Sequence, residues 1–251
     1  MNLEEYFTKS FKTMFKPKPY LASLVIFVIL GILAMIVGAI FMIGAFDQLA
    51  LLMGQMGTTM DTSVLWALFL SLGLPFIGFC IILTYLYDVG VAFLFRKIEA
   101  ELERKKGDFF DNFGKAFYDG LMLFIGQIIL YIALAILGAI LWAISLIPVV
   151  GWIIAIILGI IVMLLFISAG FALLGFTLRN GLKKGLMKAF TLPFNLRITG
   201  TVILAFIVAL VMSLILGVLS MIPILGWILY VLGIPLIVIF HTTIAYCVAK
   251  E

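Results

Sequence analysis

Three charge-free apolar runs dominate the chain: Tyr20 to Phe46, Gly120 to Leu178 and Ile198 to Ala249. A helix needs about 20 apolar residues to cross the hydrocarbon core of a bilayer. The first run therefore holds one span, and each of the others is long enough for two. A fourth stretch, Val64 to Phe95, is apolar apart from Asp88 and has Pro75 in its interior. The pattern predicts an all-α membrane protein with six spans, over 20–46, 64–95, 120–147, 152–178, 199–222 and 227–249. The first run is longer than the usual core of a secretory signal, about 7–15 residues. With the numbering beginning at Met1, it reads as an uncleaved span.

A phrase recurs between the spans. Ser145 to Ile153 reads SLIPVVGWI, and Ser220 to Ile228 reads SMIPILGWI, with Pro148 and Pro223 at the same place in each. A weaker copy, Leu74-Pro75-Phe76-Ile77-Gly78-Phe79, precedes them, and the three prolines are almost evenly spaced along the chain. Proline interrupts the helical ladder and restricts the residue before it. Glycine permits reversal of the backbone, and an aromatic beyond the turn suits the membrane interface. Pro148 with Gly151, and Pro223 with Gly226, are thus expected to form tight hairpins; a proline kink within one longer helix is the competing reading. Lys9-Ser10-Phe11, Lys115-Ala116-Phe117 and Lys188-Ala189-Phe190 also recur, each followed by a helix breaker: Pro17, Gly120 and Pro193. Such periodicity suggests a single transmembrane domain over 1–251 built from three hairpin repeats, about 1–104, 105–180 and 181–251. Each repeat would be preceded by a short cytoplasmic amphipathic helix. The first repeat departs from the others through the inserted segment 47–63, and the pattern leaves open whether 64–95 is one kinked helix or includes a re-entrant one.

Charge placement sets the sidedness. All 16 Lys and Arg fall in 9–18, 96–115, 179–197 or at Lys250, on one side of this map. Short basic loops stay in the cytoplasm, so both termini are expected there. The net charge of +4 is explained by this sorting and implies no nucleic-acid partner. Aromatic stripes lie among the lysines. One comprises Leu3, Tyr6, Phe7, Phe11, Met14 and Phe15; a second Phe109, Phe110, Phe113 and Phe117; a third Leu182, Leu186, Met187, Ala189, Phe190 and Phe194. Basic amphipathic helices of this kind lie in the membrane interface. Lys9, Lys12, Lys16, Lys115, Lys183, Lys184, Lys188 and Arg197 are accordingly candidate contacts for lipid headgroups; equally, these segments can serve only as anchoring elbows. The charged stretch 96–119 reads as a solvated continuation of the second span.

Composition sharpens the class: 66% of residues are hydrophobic and 11% charged, against about half and about a quarter in soluble domains. Cys80 and Cys247 lie in apolar runs and read as small hydrophobes. A single histidine rules out a histidine cluster, and no HExxH, GxSxG or phosphate-loop motif occurs. Neither a metal nor a cofactor is expected. Ionisable residues inside spans are candidates for function. Asp88 and His241 qualify, with Tyr85, Tyr87 and Gln127 as possible neighbours in a polar cluster. A proton- or cation-coupled site competes there with a purely structural one. Asp119, at the expected start of the third span, is accounted for by the helix dipole.

Gly107-Asp108-Phe109-Phe110-Asp111-Asn112-Phe113-Gly114, followed by Phe117-Tyr118-Asp119-Gly120-Leu121, resembles the acidic-aromatic loop of a family of multi-pass archaeal and bacterial membrane proteins, domain of unknown function 4013. Gly181-Leu182-Lys183-Lys184 and Ile222-Pro223-Ile224-Leu225-Gly226-Trp227 are similar to it as well. The resemblance covers most of 80–250 and implies the topology and an archaeal or bacterial plasma membrane, with no activity attached. The reading that results is a non-enzymatic, lipid-interacting, scaffold or accessory membrane protein. Its partners would be membrane lipids and either a second copy or another membrane protein. The alternative is a transporter for a small or hydrophobic solute, proton-coupled through Asp88 and His241.

Overall fold

The computed structural model describes residues 3–55, 66, 70, 73–105, 113–222 and 225–250, and these form eight helices and no strand. They are α1 (Leu3–Met14), α2 (Pro17–Gln55), α3 (Leu74–Leu102), α4 (Phe113–Ser145), α5 (Val150–Asn180), α6 (Leu182–Ala189), α7 (Leu192–Leu219) and α8 (Leu225–Val248). Six of them, α2 to α5, α7 and α8, are long and apolar enough to cross a membrane. The chain is a multi-pass helical membrane protein.

Local chemistry explains most of the boundaries. Glu4 and Glu5 sit in the first turn of α1 and Lys12 in the last, complementing the helix dipole. Pro17 opens α2, and Pro193 sits in the first turn of α7 behind Thr191, where a missing N–H costs nothing. Gly181 joins α5 to α6 at a φ of 90°, a conformation that favours glycine.

Several boundaries differ from the expected spans. α2 does not stop at Phe46 but continues through Asp47 to Gln55. α3 is described from Leu74, with Pro75 in its first turn, and reaches Leu102 rather than Phe95. Most of 64–72 lies outside the described residues, and with it the question of a re-entrant helix. α4 begins at Phe113, well before the expected start at Gly120. Gly120 is therefore no breaker: it lies within the helix, where a Cβ would come within 2.7 Å of the Val89 backbone. It allows α3 and α4 to approach closely. Lys115, Phe113 and Phe117 belong to the first turns of α4 instead of a separate amphipathic helix; Phe109 and Phe110 lie outside the described residues.

The chain packs as two compact units, Met1–Leu24 with Asp88–Glu251, and Val25–Tyr87. In the smaller unit the rings of Phe41 and Phe76 meet at 5.3 Å. In the larger, α5 is the centre and packs against α4, α6, α7 and α8, while α1 lies on α8. Phe7 and Phe11 of α1 reach the ring of Phe240 at 5.7 and 5.2 Å.

Burial is concentrated at one end of this unit. α4 buries Ala116 to Leu130 but little beyond, and α5 buries Ser168 to Leu178 but, before them, only Gly151. The buried positions of α7 all precede Leu210. Phe95, Leu123, Leu173, Leu178 and Tyr246 form the centre of this core. At the opposite end α4 and α5 are joined through residues 146–149, at the predicted place. Val149 there has a φ of 59°, a strained value for a β-branched residue. A Cβ on Gly151 would run into the Ile144 carbonyl oxygen, and a Cβ on Gly226 into that of Leu219. Each glycine thus faces a carbonyl of the preceding helix, at the same offset back along the chain. Pro223 lies outside the described residues.

Candidate functional site

The packed end of the larger unit carries a collar of charged and polar groups that ties the helix ends together. Its centre is Arg96, near the end of α3. The guanidinium donates to Asp119 Oδ2 through Nε (3.1 Å) and Nη2 (2.7 Å), to Glu99 Oε2 through Nη1 (3.0 Å), and to the Leu178 carbonyl through Nη2 (2.7 Å). One side chain therefore links α3, α4 and the end of α5. The Arg96 and Asp119 side chains are only 16% and 10% exposed. Removing Arg96 would leave the buried Asp119 carboxylate without its counter-ion, whereas removing Asp119 would leave the guanidinium to Glu99 and the Leu178 carbonyl. The charged continuation of α3 is thus packed rather than solvated, and Lys97 is only 8% exposed. Asp119 lies well inside its helix, so pairing with Arg96 explains it better than a helix dipole does.

Glu103 closes the collar on the other side. It pairs with Lys105 at 2.7 Å and Lys250 at 3.5 Å and accepts the Tyr246 hydroxyl proton at 2.8 Å. These contacts, Lys105 first, hold its carboxyl down at about 2, well below the usual 4.5. Arg179 donates to the Ala249 carbonyl at 3.2 Å, and Lys16 pairs with Glu101 at 3.3 Å. Around Pro235, which interrupts the ladder of α8, two side chains of α2 supply donors. Tyr20 bonds the Leu232 carbonyl at 3.1 Å and Ser23 the Pro235 carbonyl at 3.3 Å.

Of the predicted polar cluster, the structure joins Asp88 and Gln127. Gln127 Nε2 donates to Asp88 Oδ1 at 2.9 Å. Asp88 is 1% exposed, and its Oδ2 has no hydrogen-bond partner among the described residues. His241 sits elsewhere: its Nδ1 is 2.9 Å from the Ile237 carbonyl, and its ring lies beside Phe171 and Phe240. No described contact links it to Asp88. Tyr85 and Tyr87 belong to the smaller unit. Thr242 and Thr243 turn back onto the Val238 and Ile239 carbonyls of their own helix.

The predicted headgroup lysines have varied surroundings. Lys9 pairs with Glu5 at 2.7 Å. Lys188 stacks its ammonium over Phe176 and Phe194, at 5.5 and 4.8 Å from the ring centres. Lys12, Lys115, Lys183, Lys184 and Arg197 have exposed side chains.

A half-open groove of about 190 Å³ lies between α4, α5 and the elbow joining α6 to α7. Its lining is apolar except for Asn195, a residue that the sequence pattern does not single out. Beside it Ser168 Oγ and Thr199 Oγ1 meet at 3.1 Å, bridging α5 and α7.

Apolar helices bound at one end by a charged collar define the class: a multi-pass helical membrane protein. Comparison of the chain with protein-family models, with curated proteins and with solved structures finds no match.

Proposed function

We propose that the chain is a non-enzymatic, lipid-interacting or scaffold protein of an archaeal or bacterial plasma membrane, akin to domain of unknown function 4013. In this reading it is built from three hairpin units, with both termini on the cytoplasmic side. α1 and α6 would lie at the interface there; the exposed Phe15, Met187 and Phe190 support this placement.

One observation carries the proposal. Burial is concentrated at the charged end, while the most apolar windows of α4, α5 and α7 bury only 6%, 6% and 17% of their residues. Within a bilayer that outward surface can meet only acyl chains or the helices of another membrane protein. Native mass spectrometry of protein extracted in a mild detergent should find retained phospholipid or a defined oligomer. Delipidation should lower thermal stability, and returning anionic phospholipid should restore it. A lipid-free monomer of unchanged stability would overturn the proposal.

A second reading rests on the buried Asp88 carboxyl, whose Oδ2 has no described partner. An ionisable group within a span marks transport sites in other proteins. Proton-driven solute uptake in proteoliposomes, abolished by Asp88→Asn at unchanged protein abundance, would favour this transporter reading over the first.

A further inference from the structure

We propose that the groove between α4, α5 and the α6–α7 elbow holds the acyl chain of a membrane lipid whose uncharged headgroup hydroxyl donates a hydrogen bond to Asn195 Oδ1. This rests on the membrane-embedded reading above and names the lipid class it implies.

The walls are built for a chain. Leu130, Leu134 and Leu137 of α4 face Leu165 and Phe166 of α5 across the groove. At the helical rise per residue, Leu130 to Leu137 gives it about 10 Å of length. Phe190 and Leu192, at its charged end, are half exposed, and Leu137 at its other end is exposed as well.

The polar end is specified by Asn195, which is 4% exposed. Its Nδ2 donates to the carbonyl of Ala189, the last residue of α6. That bond satisfies a helix-terminal acceptor and fixes which way the amide points. Oδ1 is then left without a partner among the described residues, and a buried acceptor with no donor is costly. The neighbouring hydroxyls are committed elsewhere. Thr199 Oγ1 donates to the Asn195 backbone carbonyl at 2.7 Å, Thr191 Oγ1 to Met187, and Ser168 Oγ to Leu164 at 3.0 Å. No described group donates to Oδ1, and a hydroxyl carried by a ligand in the groove would supply that donor.

Charge decides which donor. No ionisable side chain lines the groove, so neither an ammonium nor a phosphate finds a counter-ion there. Lys188, next to the groove wall in sequence, has its ammonium over Phe176 and Phe194. A neutral hydroxyl on a long apolar chain, as in a diacylglycerol, fits both ends of the site.

The test uses the full-length protein in vesicles with a diacylglycerol carrying a photoreactive diazirine in one chain. Cross-links should map to 130–137 and 162–166. Unlabelled dioleoylglycerol should compete about tenfold better than its hydroxyl-acetylated form, the expected worth of one hydrogen bond. Asn195→Leu should erase that preference. Leu134→Trp, which fills the groove and leaves the Ala189 contact intact, should abolish labelling; thermal melting checks that both variants fold. Equal competition by the capped lipid would mean ordinary annular lipid or a water on Oδ1, and would overturn the inference. Stronger competition by phosphatidic acid would overturn it too. Native mass spectrometry of the detergent-extracted protein is scored separately: retained phospholipid or a defined oligomer beside a failed competition sinks only this inference, whereas a lipid-free monomer of unchanged stability sinks the broader reading.

Discussion

Arg96 and Asp119 lie on different helices, yet their side chains are 2.7 Å apart, and no local pattern announces the pair. Asp119→Ala should destabilise the protein by about 1.5–3 kcal/mol by removing a charged hydrogen-bond partner from a largely buried guanidinium, which keeps only Glu99 and the Leu178 carbonyl. Chemical denaturation in micelles would measure this, and the double replacement Arg96→Met with Asp119→Leu should recover most of the loss. A single-variant loss below about 1 kcal/mol would put the pair among surface ion pairs instead. Glu103 adds a pH dependence of definite sign. Its folded value of about 2 lies below the ordinary 4.5, so its contribution is complete above about 4.5 and is lost as pH falls through about 2. Melting temperature should drop across that window, and Glu103→Gln should remove this part of the drop.

Helix hairpins are where the repeated phrase gains physical content. Gly151 and Gly226 each face a carbonyl oxygen of the preceding helix, whereas Gly138 has nothing within 4 Å of a built Cβ. Gly151→Ala and Gly226→Ala should each cost about 1–3 kcal/mol through overpacking. Gly138→Ala should be neutral or stabilising, since alanine is the better helix former by about 1 kcal/mol. Differential scanning fluorimetry on the three variants would check the contrast, and equal effects would remove the close-approach argument. The turn at 146–149 was legible because proline and glycine act through local backbone geometry. The start of α4 was not: Gly120 looks like a breaker until Val89 is seen against it. A missing Cβ that lets two helices touch has the same letter as one that ends a helix.

Topology belongs to the molecule as a whole. On a background with Cys80 and Cys247 replaced, Val149→Cys should react with a membrane-impermeant maleimide in intact cells, because Val149 is 74% exposed in the far turn. Lys184→Cys, at the basic end, should react only after permeabilisation. The reverse result would invert the membrane orientation. Ion pairs linking the ends of α3, α4 and α8 already place these basic segments together, as the positive-inside pattern requires.

Membrane class, the number of apolar helices and the clustering of basic residues at one end follow from hydropathy and charge order alone. They depend on transfer between water and lipid, which each segment undergoes with little regard to its neighbours. Tertiary structure alone decided which polar groups meet. It paired Asp88 with Gln127 rather than His241, sank the charged end of α3 into the collar, and left the Asn195 amide oxygen without a donor at the edge of an apolar groove. Those outcomes depend on distances between helices remote in sequence, and a hydrogen bond reaches only about 3 Å, so no periodicity within a single helix encodes them.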